Sequence, residues 1–195
     1  MKKINNFEVN VMKKVFFVVM LLAPLMAHAW TQPQLTALKN AAREEPSIQA
    51  CITQGDDTCV ATWFNSASTF VVWRTHVTQD EYQTAVDSAA GVFNWSGTGG
   101  FIARSQGERD AWRTMFAPGY VNPALDNVRA AFADIFSGAG AGAVANRNHL
   151  AALSKRAASQ AEKVLATGTG SDASPGTLTF EGTIDAALVA QILRG

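Results

Sequence analysis

The sequence predicts a mainly α protein, a compact bundle of short and medium helices with one or two short β-strands, and three observations predict it. First, Thr31 with Gln34, Thr78 with Glu81 and Ser105 with Glu108 each have the spacing of a capping box, in which two side chains satisfy orphan N–H groups at a helix start. Second, Leu125, Val128, Phe132 and Ile135 recur at spacings of three and four, the period of a helix with one buried stripe. Third, 48% of the chain is apolar and its formal net charge is +0, which supplies a real core and excludes a disordered, self-repelling tail protein.

Residues 1–29 read as a leader. Lys13 and Lys14 precede the apolar run from Val15, and Ala27 and Ala29 end it in an Ala-x-Ala pattern, so export with cleavage between Ala29 and Trp30 is expected. The alternatives are a buried N-terminal helix, or a start codon placed too early, with Met26 as the true start. The run from Val15 to Met26 spans 12 residues and contains Pro24, too short for the roughly 20 apolar residues of a membrane span. A retained span is therefore not expected. Without the leader, residues 30–195 form one domain carrying about three net negative charges, a balance that gives no strong nucleic-acid signal.

Gln32 to Arg43 makes a first helix stopped by Pro46, and Asp56 to Asn65 a second with Val60, Trp63 and Phe64 on one side. Cys51 and Cys59 flank a Gly55-Asp56 turn that can bring their sulfurs together. In an oxidising compartment they pair; in the cytosol they are two small hydrophobes on neighbouring helices. Thr69–Val77 is rich in β-branched and aromatic residues and reads as a strand or as an extended crossing of the core. Ser105 to Phe116 is amphipathic, with Ala111, Trp112, Met115 and Phe116 on one face. A further helix over Pro123 to Phe136 begins at the Asn122 cap. The Gly138 to Ala143 stretch, GAGAGA, reads as a flexible linker to a long helix from about Asn146 to Ala166, buried along Leu150, Leu153, Ala157, Ala161 and Val164. After the polar stretch at 168–176, Thr177–Glu181 alternates like a short strand, and Asp185 caps a last helix.

Chemistry-bearing patterns are sparse. Histidine follows the leader only at His76 and His149, and the Gly-x-Ser-x-Gly, phosphate-loop and His-Glu-x-x-His patterns are missing. The expectation is no catalytic residue, no cofactor and no metal ligand set. GTGG at 97–100 reads as a turn, because it lacks the strand-then-helix setting of a dinucleotide site. Arg147, Lys155, Arg156 and Lys163 mark a solvated charged face of the long helix.

Two runs, NPALDNVRAAFADIFSG from Asn122 and HLAALSKRAASQAEKVLATGTGSDASPGTLTFEGTI from His149, resemble a family of small proteins in tailed-bacteriophage and prophage genomes. TQPQLTALKNAA, FVVWRTHVTQDEY and FIARSQGERDAWRTMF are similar to it as well, so the resemblance covers most of residues 30–188. It implies a non-enzymatic virion structural or morphogenesis protein that binds other phage virion proteins, in a homo-oligomer ring in one version, and it lends no catalytic residues. On that analogy the stretch Phe93 to Phe101 and the loop at 168–176 with its following strand are the expected interface parts, with Trp95, Phe101, Thr177 and Phe180 as contact residues; ordinary surface loops are the alternative. The leader departs from the pattern. With it the chain is a periplasmic or secreted binding or interaction domain of phage origin; with a start at Met26 it belongs to the virion and the host cytoplasm.

Overall fold

The computed structural model describes residues 30–195, and the expected leader, Ala29 included, lies outside them. Within Gln32–Gly195, a single compact unit, two groups of helices flank a short two-stranded ribbon. Helix α1 (Gln32–Glu44) buries Leu35, Leu38 and Ala42. After a 3₁₀ turn at Pro46–Ile48 come α2 (Gln49–Gln54) and α3 (Asp57–Asn65). Asp56 caps α3 by accepting the Cys59 amide at 3.0 Å, and a Cys51–Cys59 disulfide ties the two helices.

Strand β1 (Ala67–Trp73) leads through a turn to β2 (Val77–Thr78), α4 (Gln79–Thr84) and a hairpin of β3 (Val86–Asp87) and β4 (Gly91–Val92). Helix α5 (Gln106–Met115), β5 (Tyr120–Val121), α6 (Asp126–Ile135) and α7 (Ala141–Leu153) follow, then β6 (Lys155–Ser159), α8 (Gln160–Leu165) and α9 (Ala186–Arg194). The capping boxes at Thr78/Glu81 and Ser105/Glu108 are formed, as is the Asp185 cap, which accepts the Leu188 amide at 2.7 Å.

The mainly helical class holds, and the strands lie elsewhere than expected. Thr69–Val77 is not one strand: it ends at Trp73, and Val77 pairs separately with Val121. Thr177–Glu181 is irregular, contributing only an isolated bridge from Thr177 to Thr167. The partner of β1 comes instead from within the expected long helix, with Val71, Val72 and Trp73 opposite Ala157, Arg156 and Lys155. Lys-Arg-Ala-Ala is good helix sequence, but β1 offers a ladder of unpaired backbone groups, and tertiary pairing outweighs a few tenths of a kcal/mol of propensity per residue. The switch has a local cause as well. Ser159 and Glu162 form a third capping box, which restarts a helix rather than continuing one. Consequently Ala158 is buried and Ala157 exposed, a period of two where 3.6 was expected.

Helix α6 also starts later than Asn122 implies. The Asn122 side chain accepts the Ala124 amide at 3.0 Å, closing a local Asx turn, so the helix begins at Asp126 and leaves Leu125 half exposed.

Helices α1, α3, α8 and α9 pack on one another. On the other side of the ribbon Val77, Tyr82, Phe93, Phe101, Trp112, Phe116, Val121, Phe132, Ile135, Phe136, Ala143 and Leu150 form an aromatic-rich core. Trp112 is fully buried, with Phe116 at 4.7 Å and Phe93 at 5.5 Å between ring centroids. Burying a side chain of that size contributes roughly 3 kcal/mol.

Candidate functional site

The most distinctive construction runs from the β3–β4 hairpin through the loop at 93–102 to the start of α7. Its two glycine stretches lie some forty positions apart in sequence and meet here. The Gly142 amide donates to the Thr98 carbonyl at 2.9 Å. A Cβ on Gly142 would lie 2.7 Å from the Gly100 nitrogen, and one on Gly100 would lie 2.5 Å from the Ser96 carbonyl oxygen. The Asn94 amide oxygen occupies the space both Cβ atoms would need, at 2.6 and 2.9 Å. Thus GAGAGA is not a flexible linker: Ala141 to Ala143 are the first residues of α7, and the glycines let its end seat against the loop.

Asn146, fully buried on α7, completes the joint. Its Oδ1 accepts the Asn94 amide at 2.7 Å and its Nδ2 donates to the Asn94 carbonyl at 3.0 Å, imitating a neighbouring strand. The Phe101 amide donates to the Asn94 carbonyl at 3.0 Å and the Ile102 amide to the Trp95 carbonyl at 2.9 Å. Asn94 and Thr98 thus tie the loop to α7, and its two arms are bonded to each other through Asn94 and Trp95.

What the loop presents is apolar. Trp95 is 43% exposed and Ile102 67%, and across the preceding hairpin Val86 faces Val92, exposed at 75% and 56%. The Trp95 ring is braced edge-on by Phe93 at 5.0 Å and Phe101 at 5.6 Å. A preorganised aromatic with one face in water loses little conformational entropy on contact, the property of an interface anchor.

The other expected contact residues separate. Phe101 and Phe180 are buried rather than presented at the surface, Phe101 within the aromatic core. Thr177 is exposed. The 168–176 loop is stitched to β1: the Val71 amide donates to the Gly170 carbonyl at 2.7 Å, and the Gly176 amide to the Val71 carbonyl at 2.8 Å. Lys155 holds Asp172 at 2.6 Å. That loop covers the edge of its own sheet.

The basic residues form no stripe. Arg147 donates to the carbonyls of Phe136 and Gly138. Arg156 binds both oxygens of Glu162, at 2.7 and 2.8 Å, and Glu181 at 2.9 Å. Burial pushes the Glu162 carboxyl up, but the Arg156 guanidinium and the Ser159 and Gly182 amides outweigh it and hold the group below its ordinary value.

His149 is fully buried, with Nε2 donating to the Tyr82 carbonyl at 2.8 Å, and His76 is exposed, stacked on Tyr120 at 4.0 Å. The Tyr82 hydroxyl donates to the Ser154 oxygen at 2.7 Å, which itself donates to the Leu150 carbonyl; burial pushes the Tyr82 phenol well up. These groups lock α4 to α7. Among the described residues no cluster of three or more His, Cys, Asp or Glu side chains is placed to hold a metal ion, and no helix is long and apolar enough to cross a membrane. No known family model, curated protein or solved structure matches the chain.

Proposed function

We propose that this chain is a non-enzymatic structural or assembly protein of tailed-bacteriophage or prophage type, acting through protein–protein contacts with virion subunits. One observation carries the reading: four exposed apolar side chains, Trp95 and Ile102 on a loop that the glycine and Asn146 joint holds against α7, and Val86 and Val92 paired on the hairpin that leads into it. Exposed apolar surface costs solubility and is kept where a partner covers it. Trp95 is the central anchor, and the family resemblance names virion subunits as the partners.

A second reading, an exported periplasmic interaction domain, is favoured by the Cys51–Cys59 bond, because disulfides persist in oxidising compartments. Two measurements on protein made from its own gene start separate the readings: intact mass with and without thiol alkylation, and detection of the chain in purified particles. Recovery in particles, reduced by Trp95→Ala, is the expected result. A mass beginning at Trp30 with unalkylated cysteines, confined to the envelope fraction, overturns virion assembly in favour of export.

A further inference from the structure

Beside Trp73 an open slot of about 200 Å³ lies between α6 and α7, lined by Arg129, Phe132, Ala133, Arg147, Leu150 and Ala151. A cavity of about 150 Å³ suffices for one benzene ring, whereas sites for larger ligands run from about 300 Å³ upward. The slot therefore fits a single side chain. Its lining is almost wholly apolar, but two guanidinium groups stand at it. Arg129 is paired with Asp126 and lies 4.3 Å from the centroid of the Trp73 ring. Arg147 bonds two backbone carbonyls and has no carboxylate partner among the described residues. A cationic edge on an apolar floor attracts the electron-rich face of an aromatic ring over an aliphatic side chain, and Arg129 on Trp73 already makes that contact within the molecule.

Two exposed large aromatics occur among the described residues, Trp95 and Tyr120. Both are 43% exposed, but the His76 ring stacked at 4.0 Å covers one face of Tyr120. Trp95 meets Phe93 and Phe101 at interplanar angles of 69° and 87°, with no stacked partner among the described residues, so the larger Trp95 indole is the candidate. It cannot enter the slot of its own molecule. At 100° per residue, Gly142, Asn146 and His149, which hold the Trp95 loop and the aromatic core, cluster on one face of α7, and Arg147 and Ala151 lie roughly 150° around the helix. Trp95 is also braced where it stands by Phe93 and Phe101.

We infer that Trp95 of one copy inserts into the α6–α7 slot of a second copy, its indole against the Arg147 guanidinium. This rests on the protein–protein reading above and deepens it by naming a partner. Because donor and acceptor are different surfaces, the contact is heterologous: each copy offers both halves, and association runs head to tail into a ring or an open chain.

The test is sedimentation velocity on the full chain across the micromolar range, with Trp95→Ala removing the anchor and Ala151→Leu filling the slot. Ala151 and Ala133 are both exposed, so Ala133→Leu serves as a second slot-filling variant that leaves the core untouched, and circular dichroism verifies the fold of each. Wild type is expected to self-associate, and each variant to weaken association by about tenfold or more. Mixing decides the geometry. Trp95→Ala keeps the slot and Ala151→Leu keeps the anchor, so the mixture forms a one-to-one dimer that grows no further. A wild type that stays monomeric, a variant that associates like wild type, or a mixture that stays monomeric overturns the inference. A monomeric chain that still enters particles removes this contact alone; one that associates through Trp95 but never enters particles upholds the contact and removes the virion reading.

Discussion

Replacing Gly142 with alanine tests the glycine joint through the sign of its effect. Gly142 is the second residue of α7, and Gly107 is the second residue of α5. On helix propensity both substitutions stabilise, by up to about 1 kcal/mol. Gly107 faces open space, with nothing within 4 Å of a Cβ, whereas a Cβ on Gly142 meets the Gly100 nitrogen at 2.7 Å, the Asn94 amide oxygen at 2.9 Å and the Gly100 Cα at 3.1 Å. Ordinary contact begins near 3.4 Å, so the loop must retreat by roughly 0.7 Å. That movement strains the Gly142–Thr98 and Asn94–Asn146 hydrogen bonds, and overpacking of this kind costs about 1–3 kcal/mol. With the full propensity gain subtracted, Gly142→Ala is expected to destabilise by up to about 2 kcal/mol, a fall in Tm of up to roughly 8 °C for a domain of this size. Gly107→Ala is expected to raise Tm slightly. Urea unfolding with unchanged m-values, followed by calorimetry, measures both. If Gly142→Ala raises the midpoint as Gly107→Ala does, the two glycine stretches are not in contact and the rigid mounting of Trp95 is wrong.

Asn146→Ala strips the Asn94 amide of its partner but leaves the Asn94 carbonyl bonded to the Phe101 amide; a loss of about 2 kcal/mol in urea unfolding is expected, and a neutral result would mean water replaces the amide. The Cys51–Cys59 bond closes a short loop, so Cys51→Ala with Cys59→Ala should lower stability by about 2.5 kcal/mol on the chain-entropy model, with reductant doing the same to wild type and nothing to the variant. Glu162→Gln places an amide against Arg156, leaves that cation to the half-exposed Glu181, and is expected to cost about 2 kcal/mol at neutral pH. Because the folded Glu162 carboxyl lies below its ordinary value, its contribution is complete above the unfolded pKa of about 4.3 and is lost as pH falls through the lower folded value. Unfolding midpoints measured across that range should fall less steeply for the variant; parallel curves would assign the acid sensitivity to other carboxylates.

Helix starts were legible because capping is local. Thr78 with Glu81, Ser105 with Glu108 and Asp185 act within one turn, so residue type and spacing suffice. The stripe through Val128, Phe132 and Ile135 was legible for the same reason, since burial repeats with the period of the helix. Even the restart at Ser159 was written there as Ser-x-x-Glu, but the alanines on either side continued a helical pattern and concealed it.

Pairing across distance is another matter. Lys155–Ser159 became a strand because β1 stood opposite with unpaired backbone groups, a partner some eighty positions away. The glycines at 97–100 and 138–142 looked like turns and linker because a missing side chain has no pattern of its own; only the other backbone, seated where their Cβ atoms would be, gives them a purpose. The same loops placed Phe101 inside and Trp95 outside, a choice their shared aromatic character could not make. Residue order determined this protein's helices, their ends and the apolar residues available to it. Tertiary packing decided which strand formed and which aromatic faces water, because both depend on atoms that meet only once the chain has folded.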